Sequence, residues 1–98
     1  MSIITKHRQQ GLAARLGGEI RRRRVAIGMT QSELGNPLTR GFVSAVECGH
    51  CVPSVPVLLM FAERLHVSPG ELLDVVNRAT APLYTGAHGR SQNTARHE

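Results

Sequence analysis

The chain has 98 residues, 12 Lys plus Arg against 7 Asp plus Glu, and a formal net charge of +5. That length holds one domain, whose core the 41% hydrophobic content can fill, and leaves no room for a catalytic domain beside a sensor domain. Aromatic residues make up 3% (Phe42, Phe61 and Tyr84, with no Trp), which argues against modules that stack single-stranded bases on exposed rings.

What recurs along the chain is the helical period, with no sustained strand-like alternation and no internal repeat. Residues 1–9 read as an N-terminal arm and residues 10–78 as the folded domain. Leu12, Leu16, Ile20 and Ile27 fall on one stripe, and Arg24 continues its four-residue step. Gly28 follows, where a left-handed helix stop favours glycine. Thr30-Gln31-Ser32-Glu33 is a capping-box pattern opening a second helix, which Gly35-Asn36-Pro37 ends within about two turns. Thr39 can cap a third helix over about residues 39–48 with Phe42, Val43 and Val46 apolar and Gly49 as its stop. Ser54 can cap a fourth, with Pro56 in its first turn and Leu58, Phe61, Ala62 and Leu65 on one face. Ser68-Pro69-Gly70-Glu71 is a second capping box, opening a fifth helix that carries Leu72, Leu73 and Val76. After Arg78 the pattern stops. Residues 79–98, rich in Gly, Ser, Thr, Asn, Gln and His, predict a weakly ordered tail with Leu83 and Tyr84 as its apolar handle. The expected fold is all-α: a compact five-helix domain with that tail.

Charge is distributed unevenly. Residues 1–48 hold eight basic and three acidic side chains, whereas residues 49–98 hold four of each. A basic half on a small domain suits a polyanion, and helix geometry then limits which arginines share a face. Successive residues rotate by about 100°, so Arg21, Arg22, Arg23 and Arg24 cannot all point one way. The longest apolar run, Val55 to Ala62, is broken by Pro56 and falls far short of the roughly 20 residues of a membrane span. The first eleven residues lack the apolar stretch of a secretory signal, so a cytoplasmic protein without membrane contact is expected.

Five short helices, the second and third joined by a tight turn, give a helix-turn-helix layout. Thr30-Gln31-x-x-Leu34, then Arg40-Gly41-Phe42-Val43-Ser44-Ala45-Val46-Glu47-x-Gly49, then Pro53-Ser54 and Leu58-x-x-Phe61-Ala62-x-x-Leu65, follow in order. Over roughly residues 16–76 the chain resembles the Cro/phage-repressor-like (xenobiotic-response-element type) helix-turn-helix family. The resemblance implies sequence-specific double-stranded DNA binding, transcription regulation and a homodimer.

In such a domain the first turn of the third helix meets the major groove. That turn holds Thr39, Arg40 and Gly41, with Ser44 and Ala45 one turn on. Arg40 is the candidate for a bidentate contact to guanine O6 and N7, while Ala45 and the Thr39 methyl suit a thymine methyl. Ser44 can donate or accept and so discriminates little; Gly41 offers no side chain and points to a short or degenerate site. The resemblance implies a phosphate contact for Gln31 at the second helix start, and Thr30, Arg21 and His50 complete the expected phosphate set. It also implies a structural ion pair between Arg24 and Glu47. Glu47, near a helix C-terminus and repelled by DNA, needs such a partner. Arg23 stands where the family usually has an apolar residue, and its stem can snorkel over the core.

Cys48-Gly49-His50-Cys51 spells the active-site tetrapeptide of disulfide isomerases. A redox pair of that kind wants its first Cys at a helix N-terminus, and here Cys48 falls at a C-terminus with no βαβ context. Zinc would lack a fourth ligand. Redox or metal sensing by Cys48 and Cys51 stays open, but no metal, cofactor or catalytic residue is expected, and no Ser/His/Asp set or paired acid stands out. An antitoxin-type regulator, binding a toxin or other protein partner through the tail, is the alternative to a free-standing regulator; a thiol redox protein is the remote one.

Overall fold

The computed structural model describes the backbone of residues 2–84 and the side chains of residues 10–77. Five helices follow in order: α1 (Ser2–Ala26), α2 (Gln31–Gly35), α3 (Arg40–Glu47), α4 (Val55–Arg64) and α5 (Pro69–Tyr84). No strand occurs among the described residues. No helix is long and apolar enough to cross a membrane among them either.

The starts of four helices are written locally. Thr30 accepts from the Glu33 N–H at 3.0 Å while Glu33 Oε1 accepts from the Thr30 N–H at 2.8 Å, a complete capping box. Ser68 and Glu71 repeat it at 3.1 and 2.8 Å. Thr39 Oγ1 accepts from the Phe42 N–H at 3.0 Å, and Ser54 Oγ from the Val57 N–H at 3.4 Å. Three helices end the same way. A left-handed residue, Gly28 (φ 71°), Gly49 (φ 80°) or His66 (φ 61°), follows α1, α3 and α4 in turn. The next N–H then reaches back to the carbonyl of Arg24, Ala45 or Ala62 at 2.8–3.1 Å. His66 takes the conformation usually given to glycine, as its position after the fourth helix implies.

The core gathers Leu16 and Ile20 from α1, Leu34 from α2, Val43 and Val46 from α3, Leu58, Phe61 and Ala62 from α4, with Leu65 just beyond it, and Leu72 from α5. Phe61 is fully buried, the largest side chain in it. The long α1 packs on α5 and α3, α2 lies against α3 and α4, and α4 meets α5. Two glycines allow the close approaches. A Cβ on Gly17 would lie 2.0 Å from the Val46 carbonyl oxygen, and one on Gly35 would lie 2.3 Å from Val43 Cγ2. So α1 crosses the C-terminal end of α3 at backbone contact, and the last residue of α2 sits directly on α3.

The structure differs from the sequence expectations in four places. The residues read as an N-terminal arm are helical from Ser2 and continuous with α1. Ile27 is exposed, because α1 ends at Ala26 and the turn at Gly28 swings it off the stripe. Leu73 is also exposed; Leu72 and Val76 carry the inward face of α5. Finally, α5 runs past Arg78 to Tyr84, helped by the high helix propensity of Ala79 and Ala81, with Pro82 confined to its last turn. The side chains of Leu83 and Tyr84 and the tail from residue 85 lie outside the described residues.

Candidate nucleic-acid interface

Three helices are tied together at one carboxylate. Arg24, on α1, donates from Nε to Glu47 Oε2 at 2.6 Å and from Nη2 to Glu47 Oε1 at 3.0 Å. Its remaining Nη1 donates to the Met29 carbonyl at 2.7 Å, holding the turn between α1 and α2. Gln31, on α2, adds an amide donor to Glu47 Oε1 at 3.0 Å. Both ions of the pair are buried, and a buried charge without its partner is costly. The hydrogen bond that Arg24 donates to Glu47 raises the pKa of the guanidinium above its ordinary value, against the opposing effect of burial. The ion pair expected at Arg24 and Glu47 is therefore formed, and it fixes the last residue of α3.

With its inner face set by Val43, Val46 and Glu47, α3 turns its other side outward. Thr39, Arg40 and Gly41 are exposed at its start, Ser44 and Ala45 are half-buried one turn on, and Cys48 is exposed at its end. Thr39 is exposed and spends its oxygen on the cap, accepting from the Phe42 N–H. Arg40 makes no ion pair or side-chain hydrogen bond among the described residues. All five residues expected to face base edges are thus at least partly exposed, from the cap of α3 through its second turn.

The expected phosphate set is more divided. Thr30, Arg21 and His50 are exposed. Gln31 is half-buried with its amide on Glu47, so its side chain positions α2 against α3. The four consecutive arginines separate as helix geometry requires. Arg24 serves Glu47, while Arg22 and Arg23 both engage Glu19 one turn back, Arg23 from Nε at 2.6 Å and Arg22 through a bidentate pair. The hydrogen bond from Arg22 lowers the Glu19 carboxyl below its ordinary value, with Arg23 adding to the effect against burial. Arg21 makes no ion pair among the described residues, and it alone of the run is left to meet an external anion. Arg23 is partly covered, as a snorkelling stem would be.

Two positioning residues carry no motif. Arg64, on α4, donates from Nη1 to the Leu34 carbonyl at 2.9 Å and to the Asn36 carbonyl, capping the C-terminal end of α2. Gly17 gives the backbone approach already described. The adjacent pair Gly17-Gly18 inside a helix was the available signal, because glycine there costs about 1 kcal/mol relative to alanine and wants a packing reason. Arg64 gave no signal.

Cys48 and Cys51 are both free thiols, exposed and half-buried respectively. Among the described residues no group of three or more His, Cys, Asp or Glu side chains is gathered to hold a metal ion. Beside Cys51 an open apolar groove of about 630 Å³ runs between α1, the segment after α3, and α5. No protein-family model, curated protein or solved structure matches the chain.

Proposed function

We propose that this protein is a sequence-specific double-stranded DNA-binding transcription regulator, a repressor-like helix-turn-helix domain that places α3 in the major groove. One observation carries the reading. An eight-residue helix is locked from behind by a buried carboxylate, and its N-terminal turn projects an unengaged Arg40 among small side chains. A helix meant only to pack would not need an outward cation flanked by Gly41, Ser44 and Ala45, whereas close approach to base edges does. Arg21, Thr30 and His50 supply exposed polar groups for phosphates, in the half of the chain that holds the excess charge or just after it.

The regulator is proposed to act as a homodimer, since one domain of this size covers only a half-site. The groove bordered by Leu12, Val52, Leu73 and Val76 supports a protein-contacting surface on the α1 and α5 side. Selecting bound sequences from a random duplex pool tests binding, base preference and half-site symmetry together. A palindromic consensus is the expected result; a pool that stays unenriched at low salt would remove the reading.

A further inference from the structure

The turn after α3 carries two thiols that the proposed DNA contacts leave unused. Cys48 ends α3 in right-handed conformation and is exposed; Gly49 follows at φ 80°, and the chain bends again at His50 and Cys51. The backbone therefore turns between the two cysteines. Cys51 is partly buried against the core, beside the apolar groove. One thiol faces outward and the other is sheltered a few residues away.

Three further observations give this pair consequences. Cys48 lies four residues beyond Ser44 and eight beyond Arg40, and each four-residue step rotates by only about 40°, so the three share the outward face of α3. Cys48 also directly follows Glu47, whose carboxylate holds Arg24 and Gln31. Finally, the turn has no slack. Its shape rests on Gly49 N–H to the Val46 carbonyl at 3.0 Å and His50 N–H to the Ala45 carbonyl at 2.8 Å, and a Cβ on Gly49 would lie 2.8 Å from Ala14 Cα.

We infer that Cys48 and Cys51 close a reversible intramolecular disulfide that weakens DNA binding; the second half of this inference rests on the function proposed above. The reaction needs a two-electron thiol oxidant. With diamide, one thiol adds across the N=N bond, the second attacks that sulfur, and the reduced hydrazine leaves. Both thiol protons and two electrons end on the two nitrogens, and one S–S bond forms. A disulfide demands a narrow range of Cα separation and torsion, so closing one constrains the hydrogen-bonded turn that carries both cysteines. The constraint falls on Cys48 at the outward face, on His50 between the two thiols, and beside Glu47, where three helices meet. Two thiols with no third ligand gathered beside them among the described residues suit this redox chemistry better than a closed metal site.

The test uses the full chain and a duplex selected from a random pool under reductant. Affinity is measured at one salt concentration for reduced protein, for diamide-treated protein, and after re-reduction. The expected result is an oxidised monomer lighter by two hydrogens, binding about tenfold or more weakly, with affinity restored by a dithiol reductant. Cys51→Ser and Cys51→Ala, at a position outside the proposed DNA contacts, are each expected to bind like wild type when reduced and to keep that affinity in diamide. Failure to form the intramolecular disulfide overturns the inference, and so does a disulfide that leaves affinity unchanged. A reduced protein that selects no duplex overturns the DNA-binding reading and the inhibitory half with it, while the mass still decides whether the thiols pair.

Discussion

The side-chain amide of Gln31 donates to Glu47 Oε1 at 3.0 Å, sharing that oxygen with Arg24 Nη2. The two donors differ in what their loss leaves behind. Glu47→Ala strands a buried guanidinium and is expected to cost about 3–5 kcal/mol. Gln31→Ala removes one donor from a carboxylate that keeps its ion pair, and about 1 kcal/mol is expected. Urea unfolding of both variants checks the order. Equal losses would mean that the guanidinium is not what makes Glu47 indispensable.

Neighbouring glycines on α1 are expected to respond in opposite directions. At Gly17 a methyl group meets the Val46 carbonyl at 2.0 Å, a contact with backbone that cannot give way cheaply, whereas nothing lies within 4 Å of a Cβ on Gly18. Gly17→Ala should destabilise by about 2 kcal/mol or more, as an overpacked contact does. Gly18→Ala should stabilise by about 0.5–1 kcal/mol through helix propensity. Thermal melts of the two single variants suffice; a stabilised Gly17→Ala would contradict the close crossing of α1 and α3.

Readout and positioning separate by their dependence on sequence and salt. Arg40→Ala is expected to cost about 1–3 kcal/mol on the selected site and to relax preference at one base pair. Arg21→Ala should weaken selected and unrelated duplexes alike and reduce the log–log salt slope by about 0.9, the loss of one phosphate contact. Titrations at several salt concentrations measure both. An unchanged consensus with Arg40→Ala would mean that another part of α3 reads the bases.

Acid should expose the Glu19 ion pairs. The folded carboxyl titrates below its ordinary value of 4.5, so its stabilising contribution is complete above that value and is lost as pH falls through the folded one. The gain is small, because Arg22 is solvent-exposed and screened. Wild type is therefore expected to exceed Glu19→Gln in stability at neutral pH and to converge with it in strong acid. Denaturant midpoints across that range decide it; a gap that widens on acidification has the wrong sign.

Local chemistry was legible in the sequence and tertiary approach was not. Thr30, Thr39, Ser54 and Ser68 were readable as caps because a cap joins residues three apart in the chain, and all four hydrogen bonds form. The left-handed stops at Gly28 and Gly49 were readable for the same reason. The Arg24–Glu47 pair spans 23 positions, and the need of a C-terminal carboxylate for a cation together with a family resemblance pointed to it. Nothing local announced Arg64 on the Leu34 carbonyl or Gly17 under the Val46 carbonyl, since each depends on how two helices cross. The candidate reading residues of α3 were legible through the helix-turn-helix layout and the resemblance, whereas the engagement of the Gln31 amide by Glu47 was not. The end of α5 was missed because alanine extends a helix without leaving an apolar period to follow.

Gly41 is an unfilled seat on the outward face of α3. A Cβ built there meets only Thr39 Oγ1, at 3.9 Å, and the position has no left-handed backbone to forbid a side chain. The inner face of the same helix is held independently through Val43, Val46 and Glu47. Adding a reading group at 41, such as Gly41→Gln, therefore alters what the helix presents without touching what holds it, within the roughly 0.5 kcal/mol typical of surface changes. Under the function proposed above, side chains placed at 41 therefore vary what α3 offers a duplex independently of the residues that hold the helix in place.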